Sequence, residues 1–360
     1  MGLVNYCDSK KDSNPKEIKY LKDIVNDSYI KYEKANSFCI FISINEIFYL
    51  IYSTKKNSII FYDIIENKKI IEIKNAHKDI ITGFRHHLDN YNNRDLIISI
   101  SYDNNNIKVW NINNFTCILN LENINKSGRY LSLACFLNDK NQIYIVTGNR
   151  NYFSDDPIKV FDLKGKMVKQ IKDSYETVGY IDNYYDNNQS KIFIIIANET
   201  KVISFDFNQN KIYRIYEDKE YNKRLLGISY VVKDHNYITI NKRENKEEEL
   251  IELCNNGNIR IWNFHTGLLL KEIKLHSICN CGGSSLCLWD DEYLFIGCTD
   301  KTIKLVKLKD GKIIRNLNGH NNEVIFMKRV NHPKYGEALV SQGLGDDVIK
   351  LWVNKKYNIP

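Results

Sequence analysis

One phrase recurs along the whole chain. It is a short run of alternating apolar and polar residues that closes on a large apolar residue: NNIKVWNI at Asn105–Ile112, NIRIWNF at Asn258–Phe264 and VIKLWV at Val348–Val353. Aligning every copy places Tyr62, Trp110, Phe161, Phe205, Trp262, Val306 and Trp352 at the same point, with successive spacings of 48, 51, 44, 57, 44 and 46 residues. A single IKVW means only a strand, whereas seven in register mean an array of equivalent units.

The fullest unit is Gly297–His320, GCTDKTIKLVKLKDGKIIRNLNGH. Gly297-Cys298-Thr299-Asp300 closes a strand into a tight turn, and Thr302–Val306 alternates. Asp310-Gly311 turns again, and Lys312–Leu317 alternates once more before Gly319-His320.

These residues resemble the WD40-repeat family, whose repeats carry a Gly-His pair and a Trp-Asp pair every forty-odd residues. The resemblance implies an all-β fold: a seven-bladed β-propeller of the WD40 type, four antiparallel strands per blade, closed into a ring by an amino-terminal strand. The dipeptides are degenerate. Asp remains at Asp63, Asp162 and Asp206, Asn stands at Asn111 and Asn263, and the pair is lost at Lys307 and Val353. Gly-His is whole at Gly319-His320 and partial at Ala76-His77 and Leu275-His276.

Propellers grow by radial repetition, so 360 residues are expected to form one domain over residues 17–360, preceded by a flexible arm over 1–16. The last repeat ends at Val353 with no room for a fourth strand. The spare strand that would close the ring is expected from Glu17–Ile24 or Ser28–Glu33. Blade five is expected over Leu225–Ile273, its wide spacing attributed to the solvated charged insertion Lys242–Glu249, KRENKEEE.

Composition supplies the material and bounds the setting. The chain is 43% hydrophobic, and its 24 Tyr and 15 Phe suit cross-strand packing. A net charge of +7 is not gathered into a basic run, so it reads first as a solvated surface. Nine Cys without a disulfide framework, and no leader or membrane span, point to a reducing, cytoplasmic compartment.

Several constellations could carry chemistry. The family resemblance implies structural tetrads at His77, Ser99, Asp103 and Trp110 and at His320, Ser341, Asp346 and Trp352. A Ser-His-Asp set also fits a nucleophilic triad, but one that repeats from blade to blade reads as a hydrogen-bond network. In blade six the corresponding positions hold Ile296 and Val306. His276, Cys279, Cys281 and Cys287 are soft ligands within a short span, yet Cys287 alternates as a core residue, leaving three. Asp155-Asp156 and Asp290-Asp291 read as turns. No catalytic residue, cofactor or metal is expected. Gly2 and Cys7 sit where myristate and palmitate attach, although Tyr6 replaces the customary Ser or Thr.

The family resemblance implies a non-catalytic protein interaction scaffold that works as a monomeric ring within a larger complex. One candidate docking patch gathers Lys126, Arg129, Arg150, Tyr152, Phe153 and Tyr175 on one face. Segments around Asn92, Asn188 and Tyr335 line the opposite face. The alternative is a subunit of an RNA-processing or ribosome-assembly particle, drawn from the positive charge alone.

Overall fold

In the computed structural model of the protein the described residues are 14–25, 38–102, 106–122, 131–150, 158–171, 178, 180–197, 201–217, 235–241, 247–254, 258–274 and 283–354. β1 (Ile18–Val25) follows a short 3-10 turn at Pro15–Glu17. Blade one is β2 (Phe38–Ile42), β3 (Phe48–Ser53), β4 (Ile59–Asp63) and β5 (Lys68–Ile73). Blade two is β6 (Ile81–Asp89), β7 (Arg94–Ser101), β8 (Ile107–Asn111) and β9 (Thr116–Leu121). Blade three is β10 (Leu131–Asp139), β11 (Gln142–Arg150), β12 (Ile158–Asp162) and β13 (Met167–Ile171). Blade four is β14 (Tyr180–Asp186), β15 (Lys191–Ala197), β16 (Val202–Asp206) and β17 (Lys211–Tyr216). Blade five is β18 (His235–Asn241), β19 (Glu249–Cys254), β20 (Asn258–Asn263) and β21 (Leu269–Lys274). Blade six is β22 (Gly283–Leu288), β23 (Tyr293–Cys298), β24 (Ile303–Lys307) and β25 (Ile313–Leu317). Blade seven is β26 (Val324–His332), β27 (Gly336–Gly343) and β28 (Ile349–Asn354), with β1 as its outer strand.

Each blade is an antiparallel meander. The first strand of every blade touches the first strand of the next, and β26 touches β2, so the ring closes on itself. Middle strands are buried on both faces, as β3, β23 and β28 are along their whole length, because each is sandwiched between neighbouring blades. Outer strands such as β5, β9 and β21 are far more open, each beginning with two exposed residues. The apolar core therefore lies between blades. Ile98, Val109 and Ile145 join blades two and three, Val146, Ile194 and Phe205 join three and four, and Leu294, Val340 and Leu50 run through six, seven and one.

The Asp or Asn after the recurring aromatic has a local cause. Its side chain caps the turn into the outer strand: Asp63 Oδ1 accepts from the amides of Ile65 and Glu66, Asp162 Oδ1 from Lys164 and Lys166, and Asn263 Oδ1 from His265 and Thr266. Asp and Asn both offer that oxygen, so they interchange. Three or four residues after the cap, the chain takes the left-handed conformation at Asn67, Gly165, Asn210 and Gly267, and the pairing register slips by one just beyond.

Of the two candidate closing segments, the first is the one that pairs: β1 runs antiparallel to β28 from Ile18↔Asn354 to Val25↔Ile349. Ser28–Glu33 lies outside the described residues. Lys350 Nζ reaches Asp23 at 2.8 Å, Ile18 is fully buried beside Trp352 and Leu339, and Tyr20 meets the Trp352 ring edge-on at 5.6 Å. Just before the strand, Arg315 of blade six donates to the Lys16 carbonyl, and Asn354 to that of Asn14.

Blade five is described from its first strand to Lys274, apart from residues 242–246 and 255–257. Its first described strand begins at His235, and the expected start at Leu225 lies outside the described residues. Of the charged insertion, residues 242–246 lie outside the described residues, Glu248 is buried, and Glu249 opens β19.

Candidate functional site

The tetrads come first, because they hold Ser, His and Asp together. Before blade seven, Gly319 lies 3.2 Å, measured from the position a Cβ would take, from the Trp352 ring, and its φ of +149° favours glycine; this fixes the next residue, His320. Trp352 Nε1 donates to Ser341 Oγ at 2.7 Å, Ser341 Oγ meets His320 Nε2 at 2.7 Å, and His320 Nδ1 meets Asp346 Oδ2 at 3.0 Å. In blade two Trp110 Nε1 donates to Ser99 Oγ at 2.8 Å, and Ser99 Oγ meets His77 Nε2 at 2.6 Å. Asp103 lies outside the described residues. The longer turn of blade two thus leaves the His-Ser-Trp chain intact.

Ser99 and Ser341 are completely buried, and both accept from an indole N–H, so each hydroxyl is held inside the blade. Burial, aided by the charge of Lys108, lowers His77 to about 3. It is therefore neutral at pH 7 and serves as a fixed hydrogen-bond partner.

Blade five carries a variant of this network that the repeat pattern conceals. Glu252 pairs with Arg260 as Ser341 pairs with Lys350, and the Trp follows two residues later in both. Glu252 is fully buried; its Oε2 accepts from Trp262 Nε1 and its Oε1 from the Cys254 thiol, both at 2.9 Å. A carboxylate does the hydroxyl's work here, with Arg260 buried alongside and bonded to Glu272. Burial, then the charge of Glu252, pushes the Cys254 thiol well above its ordinary range.

The other expectations divide between the core and the residues outside the described set. Cys287 is a buried core thiol packed with Trp289 and Phe295, raised by burial, while His276, Cys279 and Cys281 lie outside the described residues. Asp290 accepts from the amides of Glu292 and Tyr293 at 2.8 Å each, a turn cap. Asp155 and Asp156, the docking candidates Lys126, Arg129, Tyr152, Phe153 and Tyr175, and the acylation candidates Gly2 and Cys7 all lie outside as well. Arg150 is placed by its backbone alone, at the end of β11 opposite Leu131.

Two features of blades four and five were not read from the sequence. Leu268, Leu269 and Leu270 are 65%, 41% and 52% exposed, and Ile215 on β17 is 45% exposed. They adjoin, since the position a Cβ would take at Gly267 is 3.2 Å from the Ile215 carbonyl. Beside them, Asp186, Glu248 and His265 bring ligand-type atoms within 4.8 Å of one another. The three residues come from the end of β14, the start of β19 and the turn after β20, so no local spacing marks them. The exposed leucines are visible as a run in the sequence, but only the register shows that they face outward.

Among solved structures the chain is similar to the crystal structure of Chaetomium thermophilum Raptor, with a TM-score of 0.68 and 13% identity. The likeness covers 96% of this chain and 30% of that one. At that identity it shows the fold. No protein-family profile matches the chain, and no curated protein matches it. Among the described residues no helix is long and apolar enough to cross a membrane.

Proposed function

We propose that the chain is a non-catalytic protein interaction platform, a WD40-type propeller that docks other proteins as a monomeric ring within a larger cytoplasmic complex. The observation that carries this reading is the rim patch of Leu268, Leu269, Leu270 and Ile215. Single exposed apolar residues are ordinary on any surface, but three consecutive leucines beside an isoleucine are not. Outer strands have every freedom to carry polar residues here, as β5 and β9 do. Two further points support a binding role. The Ser and His groups that could have acted as nucleophile and base are consumed by bonds inside the blades, and the ring is braced by cores between every pair of neighbours.

The test is affinity capture from native cells, comparing the wild-type chain with a Leu268→Ser/Leu270→Ser variant of matched melting temperature. One or more partners should fall at least about tenfold on the variant, since apolar anchors at an interface centre carry most of its binding energy. An Arg150→Ala/Tyr152→Ala/Phe153→Ala variant in a parallel arm tests the other docking loop. A partner set identical on all three chains, or recovery of RNA in place of protein, overturns the reading.

A further inference from the structure

We propose that Asp186, Glu248 and His265 form a binding site for a divalent transition-metal cation, zinc above all, in the seam between blades four and five. The inference is independent of the platform reading. Geometry is its first support. His265 Nε2 and Glu248 Oε2 are 3.3 Å apart, and a carboxylate oxygen of Asp186 completes a set within 4.8 Å. Two ligands on a tetrahedral zinc with bonds of about 2.1 Å stand roughly 3.4 Å apart, so this pair is already at coordination spacing.

The second support is a shortage of donors. Asp186 is fully buried. Its Oδ1 accepts from the amides of Asn188 and Gln189, at 2.8 and 3.2 Å, but its buried Oδ2 has no hydrogen-bond partner. Glu248 is nearly as buried, and the Tyr184 hydroxyl and His265 Nε2 are what face its carboxylate. A fully buried carboxylate oxygen without a donor, as Asp186 Oδ2 is, is costly, and a cation beside it removes that cost. The nearest guanidinium does not supply it: Arg214 donates to the carbonyls of His265 and Tyr213.

The surroundings fit as well. His265 Nδ1 faces the Tyr213 hydroxyl at 3.1 Å and Gln189 Nε2 at 3.2 Å, the Gln189 oxygen being held by Lys191 Nζ. A metal on Nε2 would place the ring proton on Nδ1, where Tyr213 Oη accepts it and the Gln189 amide gives up its contact. Tyr184 lies beside the cluster; burial first, then its interaction with Glu248, pushes its hydroxyl above the ordinary range, so it remains a neutral phenol. Below, Phe264 packs against Tyr184, Phe193 and Tyr216 and excludes water from that side.

One imidazole and two carboxylates select zinc, manganese or ferrous iron over calcium or magnesium, which favour oxygen ligands alone. Three protein ligands leave one position open. The His265 side chain is 28% exposed, so that position faces solvent, where water or a partner's group completes the shell.

The experiment uses the full chain after chelator treatment, carrying Cys279→Ser and Cys281→Ser to remove competing thiols. It is titrated with Zn²⁺ by calorimetry and with Co²⁺ by visible absorption. The proposal expects one equivalent bound, with a cobalt spectrum that lacks thiolate charge-transfer absorption. His265→Ala and Asp186→Asn should each weaken binding about a hundredfold or more, since even supporting residues around a metal are worth ten- to a hundredfold. Asp186→Asn keeps the oxygen that caps the turn, so it separates lost metal from lost fold. No saturable binding means that the Glu248–His265 contact alone holds the cluster, and the proposal fails. Binding that survives both substitutions places the metal elsewhere and also defeats it.

Discussion

At the scale of single residues, the buried aromatic of each blade decides how much that blade contributes. Trp352 is 1% exposed and donates into the Ser341-His320-Asp346 chain, whereas Val306 fills the equivalent place in blade six with no polar atom to satisfy. Trp352→Ala should cost about 3 to 5 kcal/mol in reversible urea unfolding, and Val306→Ala clearly less. A loss under about 1 kcal/mol for Trp352→Ala would contradict its place in the network. Buried histidines give the stability a pH dependence. Burial, in each case ahead of neighbouring charges, lowers His77 to about 3 and His87 and His332 to about 4. Their unfolded values lie near 6.5, so between pH 6.5 and about 4 the unfolded chain binds protons that the folded chain refuses. Stability should be full above pH 6.5 and fall as pH drops through that window, with an uptake near pH 5 of about three protons on unfolding from these residues. Unfolding curves at pH 7.5 and pH 5 that superimpose would contradict it.

At the scale of the element, strand order and turn chemistry were largely legible, because both follow from spacing along a continuous stretch. The third strands fall where the aromatic repeat puts them, and the spare strand before blade one closes blade seven as the missing fourth strand required. The Asp-or-Asn position is legible too, now with a mechanism. Asp162→Asn should change stability by less than about 0.5 kcal/mol, because the capping oxygen is kept, while Asp162→Ala should cost about 1 kcal/mol. Equal losses for the two in chemical denaturation would show that the cap is unimportant. What stayed hidden was built across elements. Glu252 replaces a serine that the blade-two and blade-seven alignments lead one to expect, and a buried glutamate in a strand shows in sequence only as a polar letter. Asp186, Glu248 and His265 converge from two blades, so their meeting depends on how blade four seats against blade five.

At the scale of the whole molecule, a platform works only if its frame stays put while its surface is used. The frame is a ring of seven sheets whose cores lie between blades, so opening one seam exposes apolar surface on two blades at once. The weakest place in such a ring is where chain ends meet, and here β1 seals it with backbone pairing to β28, the Lys350–Asp23 pair and the buried Ile18. Rim substitutions at Leu268 and Leu270 should leave this frame unchanged. The closure itself is read most directly by native-state hydrogen exchange on the full chain, followed residue by residue. If β1 is an integral strand of blade seven, its amides bonded to β28 will exchange only with global unfolding, at the same free energy as those of β27 and β28. If the β1 amides exchange freely while β28 stays protected, the ring is not closed by this strand.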